Sequence, residues 1–192
     1  MNNKYRRPLV ILLILAIAIV AGLTVDALWK IADRAVYPQK YSELVSKYAK
    51  EYNIPEDVIY ATIKVESNFD PEAISVAGAR GLMQMLPSTF EWLTGDEHLS
   101  ENLTPNLLYD PEVNIRYGTY YLKYLYTKFD YNWDTACAAY NGGEGNVAKW
   151  LADAKYSDGN GNLTDFPREF GETRNYVKKI RQSRDMYQKL YY

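Results

Sequence analysis

The chain opens with one uninterrupted apolar run and then settles into the 3.6-residue spacing of amphipathic helices. From Pro8 to Val25 no residue carries a charge and Leu, Ile, Val and Ala dominate, about the shortest run able to cross a bilayer core as a helix. Residues 26–40, with Pro38 near their end, read as a short juxtamembrane connector, and a single folded domain occupies 41–192. Tyr41, Leu44, Val45, Tyr48, Ala49 and Tyr52 recur at helical spacing and predict its first helix. Pro55 followed by Glu56 and Asp57 marks a new helix start, because proline suits the first turn and carboxylates suit the positive end of the dipole. That helix is expected to run to Glu66.

Between Asp70 and Leu86 the period breaks around Pro71, Gly78 and Gly81, which predicts an ordered loop. Pro87 restarts a helix through Leu93. Asp110-Pro111 is a cap-and-start pair for a helix to Lys128, with Val113, Tyr117, Tyr120, Tyr121, Tyr124 and Leu125 on one side. Further helices are expected over Trp133–Tyr140, halted by Gly142 and Gly143, and from Gly145 to Ala152. Ser157–Asn162 reads as a surface loop, and the last helix starts near Glu172 with Tyr176, Val177, Ile180, Tyr187 and Leu190 along its apolar stripe. The fold class is mainly α, without internal repeats.

Charge narrows the partners. With 22 basic and 24 acidic side chains mixed along 192 residues, the net charge is -2, and no basic face for nucleic acid stands out. Lys4, Arg6 and Arg7 precede the apolar run, which places residues 1–7 in the cytoplasm and everything after Asp26 outside. A cleaved signal peptide has the same basic start and apolar run, but the small residues Ala16 and Ala18 lie inside the run and no cleavage-type triplet ends it. The anchor is the favoured reading, and both export the domain. Aromatics make up 15% of the chain and 19 residues are Tyr, a side chain suited to half-wet grooves.

Cys137 is the single cysteine and His98 the single histidine. Neither has a sequence partner that suggests nucleophilic or transition-metal chemistry, so Cys137 reads as a small buried residue. No cofactor is implied. Glu66 ends a strongly apolar helix just before a glycine-bearing loop, where partial desolvation and the negative end of the dipole would both hold a carboxyl protonated. Position alone does not separate it from a solvated helix-end glutamate.

The longer pattern does. The stretch Glu66-Ser67-Asn68-Phe69-Asp70 through Ser75-Val76-Ala77-Gly78-Ala79-Arg80-Gly81-Leu82-Met83-Gln84-Met85-Leu86-Pro87-Ser88-Thr89 resembles the signature of the soluble-lytic-transglycosylase-type catalytic domain, whose fold is shared with goose-type lysozyme. Three further blocks resemble that family in the same order: Asn114-Ile115 with Gly118 and Tyr121-Leu122, then Ala139 to Val147, then Glu172-Thr173 with Tyr176-Val177 and Ile180. The resemblance implies a lysozyme-like α domain with a substrate groove that cuts peptidoglycan glycan strands. It implies that Glu66 is the acid/base, that Ser75 lies near that carboxylate or the sugar, and that Gln84 and Tyr140 line the cleft beside the scissile bond. Glu172 would be a second carboxylate of the groove, and Asn141 an amide for sugar hydroxyls.

Each has an ordinary counterpart: Ser75 as a loop cap, Gln84 as a satisfied amide, Tyr140 as a core ring, Glu172 as the N-terminal acid of the last helix. The stripe from Tyr117 to Tyr124 reads as core rather than sugar platform. Leu86 stands where relatives often have Met, and Gly142 and Glu144 stand where Ala and Pro are common, which is expected to loosen the tyrosine-containing turn. The implied reaction closes a 1,6-anhydro ring on N-acetylmuramic acid with Glu66 as the only protein carboxylate. A lysozyme-like hydrolase helped by Asp70, Glu144 or Glu172 is the alternative on the same fold, and a membrane-tethered glycan-binding module without activity is the alternative of another class.

Overall fold

A computed structural model describes residues 3–192; Met1 and Asn2, part of the expected cytoplasmic N-terminus, lie outside the described residues. The chain divides into two compact units with the boundary between Pro38 and Gln39. The first is a helix, α1 (Asn3–Val36). Its stretch Val10–Val36 is long and apolar enough to cross a membrane, and none of that window is buried in the protein. Helix therefore continues through most of the segment expected to be a connector. The reason is local: Asp26 and Lys30 form an i,i+4 pair at 2.8 Å, and no Gly or Pro occurs between Asp26 and Val36 to stop the turn.

The second unit is built of seven helices, α2 (Ser42–Tyr52), α3 (Glu56–Glu66), α4 (Pro87–Thr94), α5 (Pro111–Lys128), α6 (Trp133–Gly142), α7 (Glu144–Leu151) and α8 (Gly171–Tyr191), with 3-10 turns at Pro105–Tyr109 and Arg168–Phe170. Starts follow the expected chemistry. The Asp110 carboxylate accepts from the backbone N–H of Glu112 and Val113 at 2.8 and 3.1 Å, and the Asn132 amide oxygen accepts from that of Thr135 at 3.0 Å. α3 lies along α8, α6 bridges α8 and α5, and α2 closes the other side of α5. Tyr60 of α3 stacks on Tyr187 of α8, ring centroids 5.2 Å apart, so the longest-range pairing of helices is glued by aromatic rings. Met85, Phe90, Leu93, Leu108 and Tyr117 form a buried cluster under α4.

Residues 67–86 form the ordered loop that the pattern predicts, pinned by isolated bridges Ile74–Arg80 and Arg80–Met85. Its anchor is Asn114 of α5, 1% exposed. The Asn114 amide donates to the carbonyls of Arg80 and Leu108 at 2.9 and 2.8 Å and accepts from the N–H of Met83 at 2.7 Å. Gly81, at φ +74°, must be glycine: a Cβ there would meet the Asn114 amide and the Leu108 carbonyl at 2.3 Å. Gly118 of α5 likewise leaves room for Met83, whose Sδ would lie 2.4 Å from an added Cβ. Two small residues and one amide thus seat the loop on α5.

Candidate active site

The C-terminus of α3, the pinned loop, the end of α6 and the start of α8 enclose a cleft of about 930 Å³. Glu66, Ser75, Gln84, Tyr140, Asn141 and Glu172, the six residues singled out from sequence, all line it. Glu66 is half-buried, and burial pushes its carboxyl up to about 7. The Glu172 carboxylate across the cleft adds to that rise, while the neighbouring Tyr176 hydroxyl, able to donate to the ionised form, opposes it. Tyr176 is itself buried, and its hydroxyl makes no well-formed hydrogen bond to a protein group. It stands close to Glu66 without being aligned on it, so the carboxyl keeps most of the cost of desolvation. A group with these surroundings exists as acid and as base in comparable amounts near neutrality.

The other side chains have both of the roles weighed from sequence. The Ser75 hydroxyl accepts from the N–H of Ala79 at 3.0 Å, a loop cap that also borders the cleft. Gln84, held at φ +46°, donates from its amide nitrogen to the carbonyls of Ala73 and Gly81 at 3.0 and 2.9 Å. Its nitrogen is thereby satisfied by backbone, which fixes the side chain on the cleft wall. The Tyr140 hydroxyl donates to the Met83 carbonyl at 2.8 Å, tying α6 to the loop, and burial holds its proton well above the usual phenol range. Asn141 is exposed, and its amide oxygen accepts from the Thr173 hydroxyl at 2.8 Å. Glu172 is exposed at the rim in the first turn of α8.

Of the other carboxylates weighed as helpers, Glu144 forms an ion pair with Lys128 at 2.8 Å, and exposed Asp70 accepts from the Glu72 N–H at 2.9 Å; neither borders the cleft. Gly142 packs so closely that an added Cβ would meet Thr173 at 3.0 Å and Trp150 at 3.2 Å. The turn expected to be loose is therefore held by neighbouring side chains, together with the Asn146 amide donating to the Gly142 carbonyl at 2.8 Å. Cys137 is buried, which pushes its thiol up to about 12 and away from nucleophile chemistry. His98 packs edge-on against Trp92 at 4.0 Å. Among the described residues, no three His, Cys, Asp or Glu side chains converge as a metal-binding set.

Residues 43–162 match the transglycosylase SLT domain family. The chain belongs to that family. The soluble lytic murein transglycosylase of Escherichia coli K12 is 37% identical over 145 residues, which cover 75% of this chain and 22% of that protein. The membrane-bound lytic murein transglycosylase C of Actinobacillus pleuropneumoniae is 31% identical over 170 residues, 79% of this chain and 47% of the relative. The crystal structure of the 70 kDa soluble lytic transglycosylase from Escherichia coli superposes with a TM-score of 0.71 at 35% identity, covering 79% of this chain and 24% of the other. The chain therefore spans between about a fifth and a half of the length of these relatives. The lysozyme-like α fold is shared with the solved SLT neighbours.

Several cleft residues of this SLT domain escaped sequence reasoning. Phe170 and Glu169 enter from the 3-10 turn before α8, a segment without periodicity. Thr173, 3% exposed, reaches the cleft while bonding Asn141. Tyr121 lines a neighbouring compartment with Gln84 and Tyr140, whereas Tyr117 of the same stripe is fully buried. Helical spacing assigned both to one face and could not tell which stretch of that face is left uncovered.

Proposed function

We propose that this protein is a lytic transglycosylase acting on the glycan strands of peptidoglycan, held at the outer face of the cell membrane by α1. The observation that carries the reading is the half-buried Glu66 carboxyl, with its pKa raised to about 7, in a cleft of about 930 Å³. Glu66 donates its proton to the glycosidic oxygen between N-acetylmuramic acid and N-acetylglucosamine, and the C1–O bond breaks. The muramoyl N-acetyl group stabilises positive charge at C1. Glu66, now ionised, takes the proton of the C6 hydroxyl as that oxygen bonds to C1, closing the 1,6-anhydro ring and returning the acid to its starting state. Donation and recovery by one group work best when its pKa is near ambient pH.

Tyr176 is placed to stabilise the ionised half of the cycle and Glu172 the protonated half. Asn141 and Tyr140 hold the sugar, with Ser75 and Gln84 fixing the opposite wall. The names of the relatives support the substrate class. The apolar length of α1 and the basic residues Lys4, Arg6 and Arg7 before it support a single pass with the domain outside.

Glu172 in the same cleft favours one rival, hydrolysis with water as acceptor. Two carboxyl groups then flank the bond, about 5–10 Å apart in the usual glycosidase arrangements. Purified protein incubated with peptidoglycan separates the two by product mass, since hydrolysis adds one water and anhydro-ring closure adds none. Wild type is expected to release anhydromuropeptides and Glu66→Gln to release on the order of a thousandfold less. Equal release by both proteins removes Glu66 from catalysis, and water-containing products from wild type establish the hydrolase.

A further inference from the structure

A depression of about 610 Å³ lies between α2 and the first turns of α3 and shares no lining residue with the catalytic cleft. Ser42, Ser46 and Lys50 of α2 enter it as a row at four-residue spacing, with Glu43 beside them and Tyr60 of α3 beneath. We propose that this depression binds the head group of a membrane phospholipid, a phosphodiester that carries a primary ammonium, with the phosphate on Ser42, Ser46 and Lys50 and the ammonium on Glu43. The inference takes from the proposed function only that α1 is a membrane anchor, and it adds a ligand site that glycan cleavage does not use.

Tyr60 is the group that calls for a ligand. Its side chain is 0% exposed, and its hydroxyl has no hydrogen-bond partner among the described residues. The ring is fixed between Phe69 and Tyr187, with centroids 6.4 and 5.2 Å away, and the residue forms part of the depression's floor. Burial and the Glu56 charge hold its proton above the usual phenol range, so the oxygen keeps a hydrogen to donate. Buried donors are nearly always paired, and this one marks a place where a partner from outside the chain belongs. Further donors stand above it. Helical side chains lean toward the N-terminus, so Lys50 reaches back over Ser46 and Ser46 over Ser42, and none of the three is engaged by another described side chain. Tyr41 gives α2 no side-chain cap, which adds the N–H groups of the first turn to the same row.

Charge decides the ligand class. Lys47, at the edge of the depression, is committed to Glu112 at 2.6 Å. Glu56 accepts from the Tyr192 hydroxyl at 2.8 Å, which itself accepts from the Gln39 amide at 3.4 Å. Lys50 is left as the ammonium, facing Glu43 and the second oxygen of Glu56. A plain anion would meet more carboxylate than cation there, and a plain cation would leave the hydroxyls, the N–H groups and Lys50 unmatched. A phosphate with an ammonium two carbons away satisfies both sets. Chain length brings such zwitterions within reach. Val10–Val36 is 27 residues long, about 40 Å as a helix, against about 40–45 Å for a bilayer with its head groups. Gln39 follows Val36 by three residues, at most about 11 Å of chain.

Calorimetry on the full chain in a non-ionic detergent, titrated with water-soluble glycerophosphoethanolamine, tests the site. Saturable binding is expected, weakened about tenfold by Lys50→Gln, the loss of one charge-assisted hydrogen bond at an exposed side chain. Glycerophosphocholine, whose nitrogen has no N–H for Glu43, should bind wild type more weakly, and Glu43→Gln should erase that preference. Tyr60→Phe separates a ligand role from packing: it should melt at the wild-type temperature or above, having lost an orphaned hydroxyl, yet bind severalfold more weakly. Absence of saturable binding by wild type, or binding that none of the three substitutions alters, overturns the site and leaves the anchor and Glu66 catalysis standing. Inorganic phosphate bound as tightly as the head group would assign the donors to a soluble anion and overturn the lipid reading. Head-group binding of the expected pattern by a chain that high-salt washing strips from membranes keeps the site and removes the anchor reading alone.

Discussion

Asp57 and Glu66 stand at opposite ends of α3, both against α8, and their charges are treated in opposite ways. Asp57 is 6% exposed, yet one of its oxygens accepts from the Arg184 guanidinium at 3.1 Å and the Gln188 amide at 3.0 Å. It also occupies the first turn of the helix, where the dipole favours an anion. Glu66 occupies the last turn, where the dipole opposes an anion, and meets a like charge from Glu172 and one misaligned phenol. One helix interface thus holds a carboxylate paired with a guanidinium and an amide, and another whose ionisation is resisted. Asp57 latches α8 onto α3 through Arg184 and Gln188, at the end of the interface remote from Glu66.

Separating the two roles is the sharpest way to break this comparison. Glu66→Gln keeps shape and burial and removes the proton, so activity on peptidoglycan is expected to fall on the order of a thousandfold, within the range of general acid–base contributions, with the fold intact by circular dichroism. Asp57→Ala should do the reverse. It strands the Arg184 guanidinium, whose side chain is 21% exposed, and is expected to lower unfolding free energy by roughly 2–4 kcal/mol in denaturant titration, because breaking a buried pair leaves an uncompensated charge. The pH dependence of the surviving activity should be unchanged. A shifted pH profile in Asp57→Ala, without loss of stability, would contradict the division of labour.

A smaller effect tests the resisted charge itself. The folded-state pKa of Glu66, about 7, lies above the ordinary value of 4.5, so the native state holds this proton more tightly than the unfolded chain does. The stability it contributes is complete below about pH 4.5 and is lost as pH rises through 7. Glu66→Gln has no such titration. Its stability relative to wild type should therefore grow between pH 4.5 and 7.5, by about 1–3 kcal/mol given that a tenfold change in proton affinity is worth about 1.4 kcal/mol and that the group is partly hydrated. A stability difference that is flat across this range in matched thermal melts would mean Glu66 is solvated like any surface carboxylate.

How much of this is written in the sequence depends on the range of the interaction. Starts at Pro55 and Asp110-Pro111 are settled within four residues and are legible. So is the loop after Glu66, because Gly78 and Gly81 interrupt the period. The Asp57–Arg184 latch joins positions 127 apart, and neither residue type nor spacing announces it. The same holds for Thr173 on Asn141 and for the separation of buried Tyr117 from cleft-lining Tyr121. Periodicity names a face of a helix, while what covers each part of that face is decided by the other helices. The six candidate residues come together only through resemblance to a family, since position alone does not separate even Glu66 from a solvated helix-end glutamate.

The smallest expected effect concerns Glu172, and it probes whether the two ends of the α3–α8 interface differ through charge or only through burial. Glu172 raises the Glu66 pKa across the cleft, but burial is the larger cause. Glu172→Gln should therefore move the alkaline limb of the kcat/KM profile to lower pH by less than burial has moved it up, since the acid is more easily ionised once the like charge is gone. Because Glu172 is exposed, the displacement should shrink as salt is raised from low to about 1 M, where charges more than about 3 Å apart are screened. A rise in KM at acid pH, well below the alkaline limb, would report a separate contact with the sugar, since Glu66 is already protonated there. An alkaline limb that stays in place at low salt would show that the Glu172 charge does not reach Glu66, leaving desolvation at the end of α3 as the sole reason that this carboxyl keeps its proton.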